Sequence, residues 1–309
     1  MKIGILSRNQ TLYSTRRLVQ AARLRGHQVR VIDTLSIPAR AEDGSLLAIG
    51  EVDLPHVHAI IPRIGTSITP YGLAVVRQFE ARGVLTSATA IAIARSRNKL
   101  SSFQVMKEAG MPMPHTVVVN GKADLEPAVR AAGGLPVIVK LVRGTQGRGV
   151  FLVSEMRVLE AIFELLTRVR QEMLIQEYIH ESGGSDIRII VVDGQCVAAM
   201  QRTAAAGEFR SNLHRGGSAE PLVLNQEMKT FAVQAAQVHG LSVAGIDILR
   251  SNRGPLFIEA NSSPGLEGIE QTTRTDIAGK IIYFLEREAR KQKKRPQYSR
   301  IKSSYPKRK

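Results

Sequence analysis

The sequence predicts an α/β protein in which an N-terminal βαβ-type domain precedes a second, larger region rich in strands. Three observations support this class. Short apolar segments alternate with helical patterns in the first third, glycine and proline break the pattern near residues 95–115, and strand patterns dominate beyond residue 173. The 309 residues are 43% hydrophobic, which is enough for two cores.

The first third is typical of a βαβ unit. An apolar strand is predicted at Lys2–Leu6, then a helix capped by Ser14 and ended by Gly26, then a strand over residues 29–32. A third strand at Ala59–Pro62 and a helix over residues 71–82 follow. The turn after the first strand reads Ser-Arg-Asn-Gln and lacks G-x-G-x-x-G, which disfavours dinucleotide chemistry.

The second region begins after Gly110, Pro112 and Pro114 interrupt the chain. We predict strands over residues 136–142 and 150–153, a helix over 154–170, strands between 173 and 201, a helix over 225–240, and strands over 243–249 and 255–260. The predicted domains are 1–97, 98–289 with two lobes divided near 180–190, and a disordered basic tail over 290–309.

The charge is concentrated at the C-terminal end of the sequence. The net charge is +16, and residues 290–309 contain ten Lys or Arg and no Asp or Glu, which leaves +6 for the other residues. Such a block is either a solvated tail or an arm that contacts RNA or an acidic surface. No apolar run reaches the ~20 residues of a membrane helix and no signal peptide is evident, so we expect a cytoplasmic protein. The single Cys196 cannot form an intrachain disulfide.

A lysine stands at the end of an apolar strand, directly before a glycine-rich loop. Lys140 follows Pro-Val-Ile-Val, and residues 144–149 read Gly-Thr-Gln-Gly-Arg-Gly. Glycines such as Gly144, Gly147 and Gly149 let backbone N–H groups approach phosphate oxygens, and Lys140 needs an anionic partner. A mobile turn and a lysine that extends into solvent are the alternatives.

Two acidic residues are expected to meet across a hairpin. Residues 251–254 are turn formers, so a hairpin centred on Arg253 pairs Asp247 with Glu259, and Asn261 shares the face of Glu259. Two carboxylates among apolar residues repel each other unless a cation neutralises them. Carboxylate and amide oxygens suit Mg²⁺ or Mn²⁺. Salt bridges to nearby arginines are the alternative.

Further charged residues lie within apolar runs and together indicate a polar cleft between sheets. Taken one at a time, each is more simply explained as structural. They are Glu177, Asp186, Arg188, Arg202, Arg210, Asn212 and His214.

The order of these residues resembles the ATP-grasp superfamily over residues 98–264. The segments Phe-Arg-Ser-Asn-Leu-His-Arg-Gly-Gly at 209–217, Ala-Gly-Ile-Asp at 244–247 and Glu-Ala-Asn-Ser-Ser-Pro-Gly at 259–265 resemble its RimK type. Members of that type are glutamate ligases that modify the C-terminus of a small-subunit ribosomal protein. The resemblance therefore implies a two-lobed ATP-grasp fold, α+β sheets that enclose ATP, after the N-terminal domain.

The resemblance also implies roles for individual residues. Catalysis falls to Arg202, Arg210 and Asn212, which face the γ-phosphate. The metals, expected to be two ions of Mg²⁺ or Mn²⁺, are held by Asp247, Glu259 and Asn261. ATP is bound by Lys99, Lys140, Gly144, Gly147, Gly149, Glu177, Tyr178, Ile179, Asp186, Arg210, Ser211 and Asn212.

The implied reaction joins a substrate carboxylate, activated as an acyl phosphate, to the amine of L-glutamate. The implied partner is the acidic C-terminus of a ribosomal protein, the tail is a candidate for ribosome or RNA contact, and a homo-oligomer is expected. One alternative is a ligase that glutamylates a small molecule or cofactor. A second is a non-catalytic basic protein that binds the ribosome or RNA, which the apposed carboxylates disfavour.

Overall fold

The N-terminal part of the molecule is a parallel sheet covered by helices. In this computed structural model, residues 1–37, 56–142, 149–211 and 216–294 are described. The strand order is β2-β1-β3-β4, with all pairs parallel. Its strands are β1 (Lys2–Leu6), β2 (Gln28–Ile32), β3 (Ala59–Pro62) and β4 (Leu85–Thr86), and its helices are α1 (Tyr13–Leu24), α2 (Thr69–Ala81), α3 (Ala90–Arg97) and α4 (Lys99–Glu108).

A second sheet of four antiparallel strands follows, in the order β5-β8-β6-β7. It has its own core, which includes Val139, Leu159 and Ile175 and is closed by two helices. Its elements are β5 (Thr116–Val119), α5 (Leu125–Ala131), β6 (Val137–Leu141), β7 (Val150–Val153), α6 (Met156–Arg168) and β8 (Met173–Glu177).

The third sheet has five antiparallel strands in the order β11-β10-β9-β12-β13. Its elements are β9 (Ser185–Val192), β10 (Gln195–Thr203), β11 (Ser218–Pro221), α7 (Gln226–His239), β12 (Val243–Ser251), β13 (Gly254–Asn261), α8 (Glu267–Thr273) and α9 (Ile277–Lys294). Helix α7 begins where Asn225 accepts the N–H of Met228 and ends at Gly240, whose positive φ suits glycine.

The N-terminal sheet and the five-stranded sheet share their cores. One cluster joins Ile3 and Ile5 of β1 to Ile190 of β9 and to Ile281 of α9. Another joins Phe79 of α2 to residues of β9, β12 and β13. The core of the β5–β8 sheet is separate from both clusters. Burial therefore ties the N-terminal domain to the third sheet more closely than to the second.

The predicted α/β class is confirmed, and most predicted strands and helices agree with the structure to within about two residues. The predicted cap of α1 is wrong: the helix begins at Tyr13, and the Ser14 hydroxyl instead accepts the N–H of Leu266 at 3.0 Å. The first five residues of the predicted tail are helical, because α9 continues to Lys294, aided by a Lys291–Glu288 ion pair of 2.5 Å.

The predicted domain limits stay a prediction. Residues of the tail from 295 onward lie outside the described residues. No helix in the described part of the chain is long and apolar enough to cross a membrane.

Candidate functional site

Charged side chains of alternating sign cross one face of the five-stranded sheet. Arg202 of β10 stands opposite Asp186 of β9, and Arg188 of β9 stands opposite Asp247 of β12. Asp247 in turn pairs with Glu259 of β13. Because residues two apart on a strand share a face, this single register places five charged groups side by side.

The Asp247 carboxylate is neutralised by two guanidinium groups. Arg188 donates through Nε and Nη2 at 2.8 and 2.6 Å, and Arg202 donates through Nη2 at 3.0 Å. Only 4% of the Asp247 side chain is exposed. Burial alone would raise the pKa of this carboxyl, but the two arginines outweigh burial and hold it below its usual range.

Arg202 also donates two hydrogen bonds to the Asp186 carboxylate, each 2.6 Å long. Burial tends to lower the pKa of Arg202, yet Asp247 and Asp186 raise it above its usual value. Arg202 was predicted to face the γ-phosphate. In the structure its Nε and Nη2 bind the two carboxylates, while the side chain also lines the cleft, so contact with the γ-phosphate stays a prediction.

The predicted apposition of Asp247 and Glu259 is confirmed, but the predicted turn geometry is wrong. The turn is tighter than expected, since Ser251 pairs with Gly254, and that register alone would bring residue 258 opposite Asp247. A β-bulge after Asp247 shifts the pairing by one residue. The bulge, which turn residues do not reveal, restores the carboxylate pair.

The two carboxylates do not rely on a metal to stay together. Arg188 Nη2 lies 2.6 Å from Asp247 Oδ2 and 3.8 Å from Glu259 Oε1. An arginine on the neighbouring strand β9 therefore provides the positive charge between the two carboxylates. This arrangement corresponds to the salt-bridge alternative. Glu259 differs from Asp247 because 47% of its side chain is exposed, and its Oε1 accepts an N–H of Asn261 at 3.0 Å.

The oxygen donors nevertheless fit a divalent metal. Asn261 donates through Nδ2, which leaves its amide oxygen as an acceptor, and Glu259 keeps Oε2. Within the described part of the chain, Asp247 Oδ1 accepts one hydrogen bond, from Arg188 Nε. Among the described residues no cluster of three or more His, Cys, Asp or Glu side chains could hold a metal. An ion here would take two carboxylates and one amide, with water and phosphate completing the shell, as Mg²⁺ often does.

Two lysines line the same cleft as the carboxylates, Lys140 from β6 of the second sheet and Lys99 from helix α4. Burial lowers the pKa of Lys140 to about 8, an effect that the Lys99 charge increases and Glu259 opposes. Burial likewise lowers the pKa of Lys99. Among the described residues no carboxylate forms an ion pair with Lys140. Its ammonium group therefore lies in a desolvated position that an anionic ligand would stabilise.

The cleft between the two sheets is apolar at one end. Ile138 and Val150 line it from the second sheet, and Leu249 and Ile258 line it from the third. About 1050 Å³ of empty space lies within the cleft, including solvent at its mouth. A cleft that is apolar at one end and charged at the other is typical of a ligand-binding site.

The segment after β8 forms the rim of this apolar end. Glu177, Tyr178 and Ile179, all predicted to line an adenine, border the cleft. The Glu177 carboxylate accepts two hydrogen bonds from Arg253, at 2.6 and 2.7 Å, and the Glu177 backbone N–H donates to the carbonyl oxygen of His115 at 2.8 Å. The role through backbone groups therefore concerns the remaining backbone groups of residues 177–179 and stays a prediction. The partner Arg253 was not predicted, because it lies in the hairpin turn, 76 residues away.

The remaining predicted site residues divide between described and undescribed parts of the chain. Arg210 and Ser211 line the cleft, and Arg210 forms a double ion pair with Glu208 that lowers the pKa of this carboxyl to about 2. Gly149 is described, with φ of +73°. Gly144, Gly147, Asn212 and His214 lie outside the described residues.

Phe103, one turn from Lys99 on α4, also lines the cleft and was not predicted. An aromatic residue within a helical pattern is usually part of the core, so the sequence carried no signal for it.

Comparisons with known families match almost the whole chain. Residues 1–93 match the RimK PreATP-grasp domain, and residues 96–285 match the RimK-like ATP-grasp domain. A protein of Teredinibacter turnerae named probable alpha-L-glutamate ligase is 49% identical over 298 residues, covering 94% of this chain and 97% of the relative. A protein of the same name from Aliivibrio fischeri is 50% identical, covering 94% and 96%.

Solved structures share the fold at low sequence identity. The ATP-grasp ligase PsnB, in a complex with a precursor variant, Mg and ADP, has a TM-score of 0.71 and 21% identity, covering 93% of this chain and 98% of that one. The D-alanine–D-alanine ligase of Bacillus anthracis, in complex with ATP, has a TM-score of 0.71 and 16% identity, covering 95% and 99%. These likenesses confirm the predicted ATP-grasp fold.

Proposed function

Because the chain belongs to the RimK-like ATP-grasp family of alpha-L-glutamate ligases, we propose that it adds glutamate to the C-terminus of a small-subunit ribosomal protein. ATP-dependent ligation of a carboxylate to an amine is the chemistry of the family. The acyl-phosphate route, the individual residue roles and the acceptor are the proposed parts. The observation that supports them most is the cleft itself, which Lys99 and Lys140 line together with Asp247 and Glu259.

Binding of ATP follows from the two ends of the cleft. The apolar end, between Ile138 and Ile258, suits a flat base, and residues 177–179 border it, where those of their backbone groups that are not bonded within the chain would meet the polar edge of the base. Lys99 and Lys140 then meet the phosphates, and the anionic ligand offsets the cost of holding their charge in a desolvated position. We assign Gly149, at the end of the glycine-rich loop, to the phosphates from its place in the sequence.

Asp247, Glu259 and Asn261 would hold Mg²⁺, which supplies charge stabilisation for the transferring phosphoryl group. The relative PsnB was solved with Mg and ADP. Two ions, and use of Mn²⁺, stay proposals. In this scheme Arg188 and Arg202 fix the carboxylates before any ion arrives, because they hold the Asp247 side chain in one orientation.

The proposed reaction proceeds in two balanced steps. An oxygen of the acceptor carboxylate attacks the γ-phosphorus, and the bond to the β-bridging oxygen breaks to release ADP. The amine of glutamate then attacks the acyl carbon, loses a proton, and expels inorganic phosphate to form the amide. We assign stabilisation of the phosphoryl oxygens to Arg210, which lines the cleft and whose guanidinium is held by Glu208 and by the carbonyl oxygen of Val150. No protein nucleophile is needed.

The acceptor is the least constrained part of the proposal. The RimK-type motifs support a ribosomal protein, and a chain of net charge +16 attracts an acidic, growing tail. A small-molecule acceptor is the alternative, since the related fold of D-alanine–D-alanine ligase serves one. A homo-oligomer, a cytoplasmic location and contact of the basic tail with the ribosome or RNA also stay proposals.

Mass spectrometry distinguishes the acceptors. The full chain is incubated with ATP, Mg²⁺, L-glutamate and a mixture of ribosomal proteins, and a parallel reaction receives a small-metabolite extract. We expect glutamyl additions on one ribosomal protein, confined to its C-terminal peptide. Glutamyl additions that appear only on a metabolite would show that the ribosomal acceptor is wrong.

A further inference from the structure

The strand order marks a candidate crevice at the carboxyl edge of the N-terminal parallel sheet, at Arg63 and apart from the residues assigned to the nucleotide. Strands β1 and β3 are neighbours, but β2 lies on the outer side of β1 and β4 on the outer side of β3. In open parallel sheets, ligands bind beyond the carboxyl ends of the strands where the order reverses in this way. Arg63 directly follows β3 at this point.

The Arg63 guanidinium has one side engaged and one side available. Its Nη1 donates to the carbonyl oxygen of Pro264 at 2.8 Å. Among the described residues, neither Nε nor Nη2 makes a hydrogen bond, and no carboxylate forms an ion pair with Arg63. The side chain is half-buried. Burial lowers the pKa of Arg63 to about 10, and the nearby positive charge of Arg97 adds to this effect.

Arg97, at the end of α3, adds a second positive charge that no carboxylate in the described chain balances. It donates to the carbonyl oxygens of Ile64 and Gly65, and to Thr69 Oγ1 at 2.6 Å. These acceptors are all neutral. Two partly buried guanidinium groups within electrostatic range of each other are unfavourable unless an anion joins them.

The crevice lies beside the metal-binding end of the cleft. Ser263 donates to the carbonyl oxygen of Pro62 at 2.9 Å, so the segment after Asn261 packs against the end of β3. Pro264 is three residues from Asn261, and three residues span at most about 11 Å. The buried hydroxyl of Ser262, in the same segment, has no hydrogen-bond partner among the described residues. Neither Nε nor Nη2 of Arg63 is among the buried atoms that lack a partner in the described chain, so these two donors stay in contact with solvent, where a ligand can reach them.

We propose that Arg63 binds a non-reacting carboxylate of a ligation substrate through its Nε and Nη2, and that the charge of Arg97 strengthens this contact. The inference rests on the proposed function. Glutamate carries two carboxylates that do not react when its amine attacks, and an acidic acceptor carries more in its side chains. An arginine fork matches a carboxylate with two parallel hydrogen bonds.

Steady-state kinetics of the full chain test the assignment. In Arg63→Met, we expect the KM for the substrate whose carboxylate is bound to rise about 10- to 100-fold, the loss typical of a charge-assisted hydrogen bond. The KM for ATP should stay within about twofold. A rise for glutamate identifies the amino acid as the source, and a rise for the acceptor peptide identifies the acceptor.

Analogues locate the bound group on glutamate. Glutamine and glutamate α-amide each replace one carboxylate by an amide. Wild type should reject the analogue that lacks the bound carboxylate, and Arg63→Met should lose that discrimination. Arg63→Lys, which keeps the charge and loses the fork, should be intermediate.

Arg95→Met is the matched control. Arg95 lies on the same helix as Arg97 and likewise donates to a carbonyl oxygen, that of Val238 at 3.1 Å, but it faces away from the crevice. Its KM values should equal those of wild type. A fall in kcat with unchanged KM for both carboxylate substrates in Arg63→Met would overturn the proposal, since Arg63 would then only hold the segment at Pro264.

A binding experiment separates this proposal from the proposed function. Glutarate, which has two carboxylates and no amine, should raise the Tm of wild type and not that of Arg63→Met. Equal shifts in both proteins, or none in either, would overturn the carboxylate site. Absence of any ligation by wild type would contradict the proposed function instead, whatever glutarate does.

Discussion

At the scale of single residues, Lys140 shows how burial converts an ordinary lysine into a ligand-dependent charge. Its pKa is lowered to about 8 because the ammonium group loses water, and Lys99 adds repulsion. Below pH 8 the protonated side chain destabilises the free fold relative to the unfolded chain. That penalty disappears as pH rises toward the usual lysine pKa of about 10.4.

The lowered pKa of Lys140 predicts that kcat/KM for ATP decreases on the alkaline side of its pH profile, in what is called the alkaline limb. Above about pH 8 the free enzyme loses the Lys140 charge, so kcat/KM for ATP should fall about tenfold per pH unit. Arginine stays charged throughout, so Lys140→Arg should move the limb out of the measurable range. The measurement is the pH profile of kcat/KM for wild type and variant. An identical limb in Lys140→Arg would mean that another group titrates.

At the scale of elements, the β12–β13 hairpin gives two paired carboxylates opposite environments. Asp247 lies on an inner strand, next to Arg188 of β9 and close to Arg202 of β10. Glu259 lies on β13, which is an edge strand of the sheet that the described residues form, and solvent reaches about half of its side chain. The position of each strand in the sheet, rather than the residue type, decides which carboxylate is structural.

The difference predicts unequal effects on stability. Asp247→Asn leaves two buried arginines without their full partner, so the free energy of unfolding should fall by about 3 kcal/mol. Glu259→Gln should change it by less than about 1 kcal/mol. Both should abolish Mg²⁺- and glutamate-dependent ADP release. Urea denaturation gives the first quantity and coupled ADP detection the second. Full turnover in Glu259→Gln would refute the metal assignment.

At the scale of the whole molecule, the cores define two units of different extent. The N-terminal sheet and the five-stranded sheet share buried clusters, whereas the β5–β8 sheet is packed around its own core. Cooperative opening follows shared buried contacts. Residues 116–177 should therefore open as one unit, while β1 and β9 should open together.

Hydrogen exchange read by mass spectrometry checks this division. Leu159→Ala, in the separate core, should cost about 2–5 kcal/mol and reduce protection only within residues 116–177. Ile281→Ala, in a shared core, should reduce protection in β1 and β9 alike. Each variant is the control for the other. Equal loss of protection over the whole chain in both variants would show a single cooperative unit.

Sequence by itself determined where charge interrupts apolar strands. Period-two alternation places Asp186 with Arg188, and Glu259 with Asn261, on shared faces, and the order of these residues carried the resemblance to the ATP-grasp family. Strands and helices followed from the same local periodicities. These properties depend on neighbours a few residues apart, which is why they could be predicted.

Only the tertiary structure decided which charges neutralise each other. Arg188 meets Asp247 across 59 residues of chain, and a bulge rather than the turn brings Glu259 opposite Asp247. The crevice at Arg63 likewise depends on contact with Pro264, 201 residues away. Strand order and register set such partners, and both result from the packing of whole sheets, which no local pattern encodes.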